Sequence, residues 1–410
     1  MLKYILIIGD GMADNPVEEL GGKTPIEYAA IKNIDRLASA GIVGSVKTCP
    51  EELPPGSDTA ILAIFGCDPR KFYTGRAPLE AAATGVMLEP GDVAFRCNMV
   101  TISDEDVPFE KKRILSHSAG AIEGELSVEI INRLFSDPKF AECAEKAGLS
   151  IYPAPSFRHI AVQKNVDAKG IKLSPPHDYL GGEIGSLLPH GCKDASTLKE
   201  LMLLAHEILN GDPINKKRRA EGKMPANGIW FWAEGTAVKL PNFVEQYGKT
   251  GGVISAVPLC HGIAALVGLE KITVDGATGE LDTNYEGKVD AALEVLKNND
   301  FAAIHIEAPD ECTHNGDLQG KLQGIEWIDT RVVAPLVEKL GAANYDYRIL
   351  IVSDHKTLTS TRGHDGTPVP YLIYDSRLDR KTDAVYCERD GEKGPYLPEG
   401  ILLMKELFEG

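Results

Sequence analysis

Unbroken apolar runs recur along this chain, and three of them end on side chains that bind metals or carry charge. Residues 3–9 contain Tyr-Ile-Leu-Ile-Ile and lead into Gly9-Asp10-Gly11-Met12. Residues 301–308 read Phe-Ala-Ala-Ile-His-Ile-Glu-Ala and lead into Pro309-Asp310, with His314 four positions on. Residues 349–353 read Ile-Leu-Ile-Val-Ser and lead into Asp354-His355, with His364 in the following loop. Such runs, bounded by polar residues, predict strands buried on both faces of a parallel sheet. Between them lie stretches of helical period: residues 26–40, closed by Gly41, then 60–65, 197–209, 243–247, 260–269, 286–298 and 321–340. Strands alternating with helices predict an α/β fold, here a doubly wound, mostly parallel sheet.

From about residue 100 the texture changes. Charge is denser over residues 104–113, and the strand–helix alternation loosens until it returns at Asn227. The chain therefore divides into a discontinuous core, residues 1–88 and 225–410, and an inserted α+β domain, residues 89–224. Inside the insert, Lys216-Lys-Arg-Arg219 reads as a solvated connector.

The chemistry gathers at strand ends. In open α/β sheets ligands sit beyond the carboxyl ends of the strands, where Asp10, Asp310, His314, Asp354 and His355 all fall. Asp310 and His314 share one face if their segment coils. Carboxylates mixed with imidazoles suit a divalent transition ion such as Mn²⁺ or Zn²⁺. A second motif, Leu53-Pro-Pro-Gly-Ser57-Asp58-Thr59, opens into the apolar helix at 60–65. It sets Ser57 at a helix start, where free N–H groups and the positive dipole end favour an anion. A serine there is either an N-cap or, with its pKa lowered by a metal, a phosphate acceptor. Three Asp, three His and this Ser suffice for two metals with an oxygen nucleophile between them. Two such ions stabilise both the attacking and the leaving oxygen of a phosphoryl transfer.

Charge narrows the partners. A net charge of −17 over 410 residues argues against nucleic acid or an anionic membrane surface. An anionic substrate must then meet a local cationic site. No apolar run approaches the roughly 20 residues that span a bilayer. The N-terminus reads as a strand entering a motif, not as a signal peptide. Eight cysteines occur as singles with no Cys-x-x-Cys pair, which suggests reduced thiols and a cytoplasmic home.

The order Gly-Asp-Gly-Met, Pro-Gly-Ser-Asp, Glu-Ala-Pro-Asp-Glu-x-x-His, Ser-Asp-His and a following His resembles the alkaline phosphatase superfamily. More closely, it resembles the archaeal-type cofactor-independent phosphoglycerate mutases. The likeness runs nearly end to end, through Leu20-Gly-Gly-Lys-Thr-Pro, Gly75-Arg-Ala-Pro-Leu-Glu-Ala, Phe157-Arg-His, Pro175-Pro-His-Asp and Gly276-Ala-Thr-Gly. The resemblance implies one metal held by Asp310, His314 and His364. A second would be held by Asp10, Ser57, Asp354 and His355. It implies that Ser57 is transiently phosphorylated while 3-phosphoglycerate and 2-phosphoglycerate interconvert, a step of glycolysis and gluconeogenesis that needs no bisphosphoglycerate. The inserted domain is expected to cover the substrate and keep water from the phosphoserine. Arg158 is the candidate for gripping substrate carboxylate or phosphate. Arg96 and His117 are further candidates, with a structural role as the alternative for each.

Two positions depart from the family pattern. The family commonly shows Ser-Ala-Gly-Arg where this chain has Ser118-Ala-Gly-Ala121, and a Lys where this chain has His261 before Gly-Ile. Both changes reduce positive charge in the expected pocket, although a protonated His261 beside a phosphoryl group would restore some. A two-metal phosphohydrolase, or a phosphotransferase of homoserine kinase type, is therefore the alternative enzyme. A catalytically silent binding protein is the remaining one, and the complete ligand set argues against it.

Overall fold

The computed structural model describes residues 2–166 and 168–410. They form two compact units, residues 1–73 with 239–410, and residues 74–238. The edges of the second unit differ from the expected 89 and 224. The helix Arg76–Ala83 packs on the strands Val93–Ile102 and Gly228–Thr236, so both flanks belong with the insert. The Cβ that Gly75 lacks would lie 1.9 Å from the Glu234 carbonyl oxygen, so only glycine permits that approach.

The first unit is built on an eight-stranded sheet. Across it run Tyr396–Leu397, Ile42–Val46, Val369–Asp375, Asp346–Ser353, Leu2–Gly9, Phe301–Ile306, Gly251–Ile254 and Glu270–Ile272. From Asp346–Ser353 to Glu270–Ile272 every pairing is parallel, and Val369–Asp375 is antiparallel to both its neighbours. Helices cover the parallel strands, so Ile5, Leu6 and Ile7 are wholly buried. Each such side chain contributes about 1.5–3 kcal/mol.

Register decides where chemistry emerges. Gly9 pairs with Ile306 on one side and with Ser353 on the other. The three central strands therefore stop on one line, and Asp10, the Glu307–Asp310 turn and Asp354 leave from the same sheet edge.

Two predicted helices are interrupted. Residues 26–40 form two short helices, Pro25–Tyr28 and Lys32–Ala38. The first is held by a Thr24–Glu27 capping box and ends where Ala29 turns extended. Residues 321–340 belong to a helix Leu318–Trp327 that passes into a π-turn, Ile328–Val333, before Ala334–Ala342. There Asp329 accepts from Ile34 N–H and Asn33 Nδ2, tying the helix to Lys32–Ala38.

The second unit is a five-stranded antiparallel sheet with helices. Val93–Ile102 pairs with Gly228–Thr236, Arg158–Gln163 and Ile114–Ser116, and Leu149–Tyr152 extends it. The basic cluster at 216–219 lies in a helix, Pro213–Ala220, not in a solvated connector. Arg218 is buried and donates to the carbonyls of Ala119 and Met224, while Arg219 pairs with Asp104. Among the described residues no helix is long and apolar enough to cross a membrane.

Candidate active site

The site is assembled from loops at the carboxyl edge of the first unit's sheet. The Leu2–Gly9 strand delivers Asp10, which is buried. Gly11 follows with φ +57. A Cβ there would meet Thr357 Oγ1 at 2.4 Å and Asp310 Oδ1 at 2.5 Å, so this turn accepts only glycine. Its N–H donates to Asp354 Oδ1 at 3.0 Å. Ser57 is the first residue of the helix Ser57–Ile64, after Gly56 at the N-cap. Its hydroxyl lies 3.3 Å from Asp10 Oδ2 and 3.1 Å from His355 Nε2.

The 308–314 segment coils as a helix, Ala308–His314, and puts His314 Nε2 3.1 Å from Asp310 Oδ2. His364, on the short strand Gly363–Asp365, brings its Nε2 to 2.9 Å from His314 Nε2 and 3.6 Å from Asp310 Oδ1. Asp354 and His355 leave the Asp346–Ser353 strand fully buried, with His355 Nε2 3.5 Å from Asp10 Oδ1 and 3.3 Å from Asp354 Oδ2. All seven residues named from the strand ends and the serine motif thus meet in one place.

The electrostatics of this cluster are those of a cation site. Burial and the charges of Asp354 and Asp310 push the Asp10 carboxyl well above its usual range. Asp310 goes the other way: burial would raise it, but His314 and His364 hydrogen-bond it well below. The same hydrogen bond lifts His314 to about 9, while burial lowers His355. Asp354 Oδ2 is buried and has no hydrogen-bond partner among the described residues. An unpaired buried carboxylate oxygen is costly unless something positive meets it.

The imidazoles are oriented from behind. His314 Nδ1 lies 2.8 Å from the Arg362 carbonyl, and His355 Nδ1 lies 3.3 Å from the Lys356 carbonyl. Carbonyls that accept from Nδ1 turn Nε2 of both rings toward the cluster, the orientation of metal-binding histidines. Two groups have ligand atoms close enough to share an ion: Asp310 with His314 and His364, and Asp10 with Asp310 and His355. The donor set fits divalent transition metals.

Sequence reasoning missed three contributors. His305 lies inside the Phe301–Ile306 strand, with Nε2 2.9 Å from Asp10 Oδ2. Thr357 donates its hydroxyl to Asp310 Oδ1, and Thr48 donates to the Asp354 carbonyl. The one available signal was an imidazole in an otherwise apolar run.

His261, also in this unit, sits on the helix Pro258–Val267 with Nε2 3.2 Å from the Ile272 carbonyl. Burial lowers its pKa, which opposes a protonated state.

The remaining candidates lie in the second unit. Arg96 is buried, bonded through Nε to Glu80 Oε2 at 2.7 Å and through a second nitrogen to Glu80 Oε1, with Trp232 under its guanidinium at 4.7 Å. This doubly anchored pair gives Arg96 a structural role. Arg158 is exposed at the start of its strand, over the Phe157 ring at 4.9 Å. The His117 ring lies 5.8 Å from Phe157 and 6.0 Å from His177, which in turn lies 5.1 Å from Trp232.

Known proteins are similar to this chain in sequence and fold. The family model described as 2,3-bisphosphoglycerate-independent phosphoglycerate mutase matches residues 38–215. A 2,3-bisphosphoglycerate-independent phosphoglycerate mutase of Methanosarcina barkeri is 43% identical over 394 residues, 96% of each chain. A probable one from Geobacter sulfurreducens is 41% identical over 417 residues, covering 100% of both chains. A protein of Pyrococcus horikoshii with a solved structure shares 31% identity at a TM-score of 0.80, over 99% of this chain and 97% of that one. A cofactor-independent phosphoglycerate mutase from Thermoplasma acidophilum has the same fold, with a TM-score of 0.64 at 24% identity over 99% of each chain. Near end-to-end identity above two-fifths is far more than a shared fold requires, and the chain belongs to the 2,3-bisphosphoglycerate-independent phosphoglycerate mutase family.

Proposed function

We propose that this chain interconverts 3-phosphoglycerate and 2-phosphoglycerate in the cytoplasm through a phosphoserine at Ser57, without bisphosphoglycerate. The observation that carries the reading is the approach of Ser57 Oγ to both Asp10 and His355 at the start of a helix. In this reading Asp310, His314 and His364 hold one divalent ion, and Asp10, Ser57, Asp354 and His355 hold the other, with Mn²⁺ or Zn²⁺ the ions this donor set suits. Bound there, the two cations supply charge stabilisation for the phosphoryl oxygens and favour the ionised serine hydroxyl.

The chain's own residues do the rest. Ser57 Oγ forms a bond to phosphorus as the substrate's ester bond breaks. The positive dipole end at the start of its helix supports the transferred phosphoryl group. Bound glycerate reorients, and its other hydroxyl takes the phosphate back and frees Ser57. Arg158 grips the substrate carboxylate or phosphate, since its planar fork suits both anions. His117 is the second candidate contact from the same unit.

Two observations favour a second reading, a two-metal phosphohydrolase or a phosphotransferase of homoserine kinase type on another small phosphorylated metabolite. Ala121 stands where an arginine was expected, at φ +55. His261 has its pKa lowered by burial. A coupled assay separates the readings. Metal-loaded protein given 3-phosphoglycerate should yield 2-phosphoglycerate with no added bisphosphoglycerate. Release of inorganic phosphate alone supports the hydrolase.

A further inference from the structure

The Phe301–Ile306 strand turns one imidazole, His305, into the interior behind Asp10, where it is 1% exposed. Strand packing does not call for a polar ring there, and a buried imidazole is costly unless both nitrogens find partners. Both do. Nε2 lies 2.9 Å from Asp10 Oδ2, and Nδ1 lies 3.2 Å from Ser255 Oγ. The Val257 N–H donates to Ser255 Oγ at 3.0 Å, so the serine's own proton is available to His305 Nδ1. When Ser255 gives that proton to Nδ1, the ring proton sits on Nε2, aimed at Asp10. The strand is pinned at this point too, since Lys288 Nζ donates to the His305 carbonyl at 3.0 Å. One Asp10 oxygen is thereby committed to a protein donor. The other, Oδ1, lies 3.5 Å from His355 Nε2, and Ser57 Oγ sits against the carboxylate edge, 3.5 Å from Oδ1 and 3.3 Å from Oδ2.

We propose that His305, held in one tautomer by Ser255, is a positioning residue: it anchors one oxygen of the Asp10 carboxylate so that the other faces His355 with Ser57 alongside, and so sets the affinity of that group for its ion. The inference rests on the two-ion reading above and deepens it. Outer partners of this kind typically account for about 10–100-fold in metal affinity.

The test is calorimetric titration of metal-free protein with Mn²⁺, on wild type and on His305→Leu, His305→Gln, His305→Asn and Ser255→Ala. A glutamine places its amide nitrogen close to the position of Nε2, within reach of Asp10. An asparagine is one carbon shorter and reaches only toward Ser255. Wild type should take up two equivalents. His305→Leu should weaken one of them by about 10–100-fold and leave the other, at Asp310, His314 and His364, unchanged. His305→Gln should recover most of the loss, His305→Asn should not, and Ser255→Ala should fall between wild type and His305→Leu. If His305→Leu does not fold, the contrast between the glutamine and asparagine variants decides alone. Equal affinities in those two, or a matched loss at both equivalents that tracks thermal stability, would overturn the proposal in favour of a purely structural histidine. A wild type that takes up one equivalent contradicts the two-ion reading. His305 is then judged on whether that equivalent weakens in the leucine variant and returns with glutamine.

Discussion

Ser57 Oγ lies 3.1 Å from His355 Nε2, although 298 residues separate the two in sequence. The pair meets because the Ser57 helix starts at the edge where the Asp346–Ser353 strand stops. Removing the hydroxyl removes the phosphate acceptor and little else, since Gly56 holds the N-cap position and no side chain makes a capping hydrogen bond there. Ser57→Ala should lower phosphoglycerate interconversion by at least about a thousandfold while thermal unfolding of the metal-free protein is unchanged. Steady-state rates with a melting curve check this. Retained turnover removes Ser57 from the mechanism.

Gly11 is the backbone key of the site. Its positive φ and its closeness to Thr357 and Asp310 both forbid a side chain. Gly11→Ala should cost about 2–5 kcal/mol, summing left-handed strain and overpacking. It should also weaken metal uptake, because the Gly11 N–H that holds Asp354 moves with the loop. Denaturant unfolding of the metal-free variant measures the first effect.

Arg96 and Arg158 should separate cleanly. Arg96→Met leaves buried Glu80 with Arg76 alone and should destabilise the protein by several kcal/mol, less than the roughly 3–5 kcal/mol of a fully orphaned buried charge. Arg158 is exposed, so Arg158→Ala should leave stability within about 0.5 kcal/mol and raise KM for phosphoglycerate. The converse pattern, a KM effect from Arg96 without a stability loss, would return Arg96 to the substrate pocket.

The Glu80 pair also sets an acid limit. Burial alone would raise the Glu80 carboxyl, but Arg96 and Arg76 outweigh it and hold it at about 2, against an ordinary 4.5. A depressed folded-state value means the stabilisation is fully present above about 4.5 and is lost as pH falls toward 2. Stability of the protein should decline across that window, and Glu80→Gln, destabilised at neutral pH, should decline less.

His314 gives the opposite sign. Its hydrogen bond to Asp310 raises it from 6.5 to about 9 in the metal-free protein. That contribution is complete below about 6.5 and disappears as pH rises through 9. Protein stripped with a chelator should therefore lose melting temperature between these pH values, and His314→Gln should lose less. Protons and the ion compete for the same nitrogen, so metal affinity of the Asp310 group should rise over the same interval.

Much of this is legible in the sequence, for a simple reason. Strands buried on both faces announce themselves as apolar runs, and parallel strands expose their chemistry at one edge. Asp10, Asp310 and Asp354 could thus be placed together from sequence. What could not be read needs tertiary partners. His305 sits in the middle of a run, where its neighbours make it look like core. Arg96 looks like a free cation until Glu80, 16 residues earlier, is folded against it. The insert's edges were misplaced because the Arg76–Ala83 helix carries no break in composition, only a packing surface for strands that come later. The break at Ala29 and the π-turn at 328–333 follow from Thr24 and Asp329 contacts that hydrophobic periodicity does not encode.

The central claim is a covalent one, and acid-quenched mass spectrometry of the metal-loaded protein mixed with 3-phosphoglycerate tests it most directly. Phosphate should appear on the peptide containing Ser57 within the first turnovers, and be absent from Ser57→Ala. Turnover to 2-phosphoglycerate with no phosphate on Ser57 at any quench time would contradict the account.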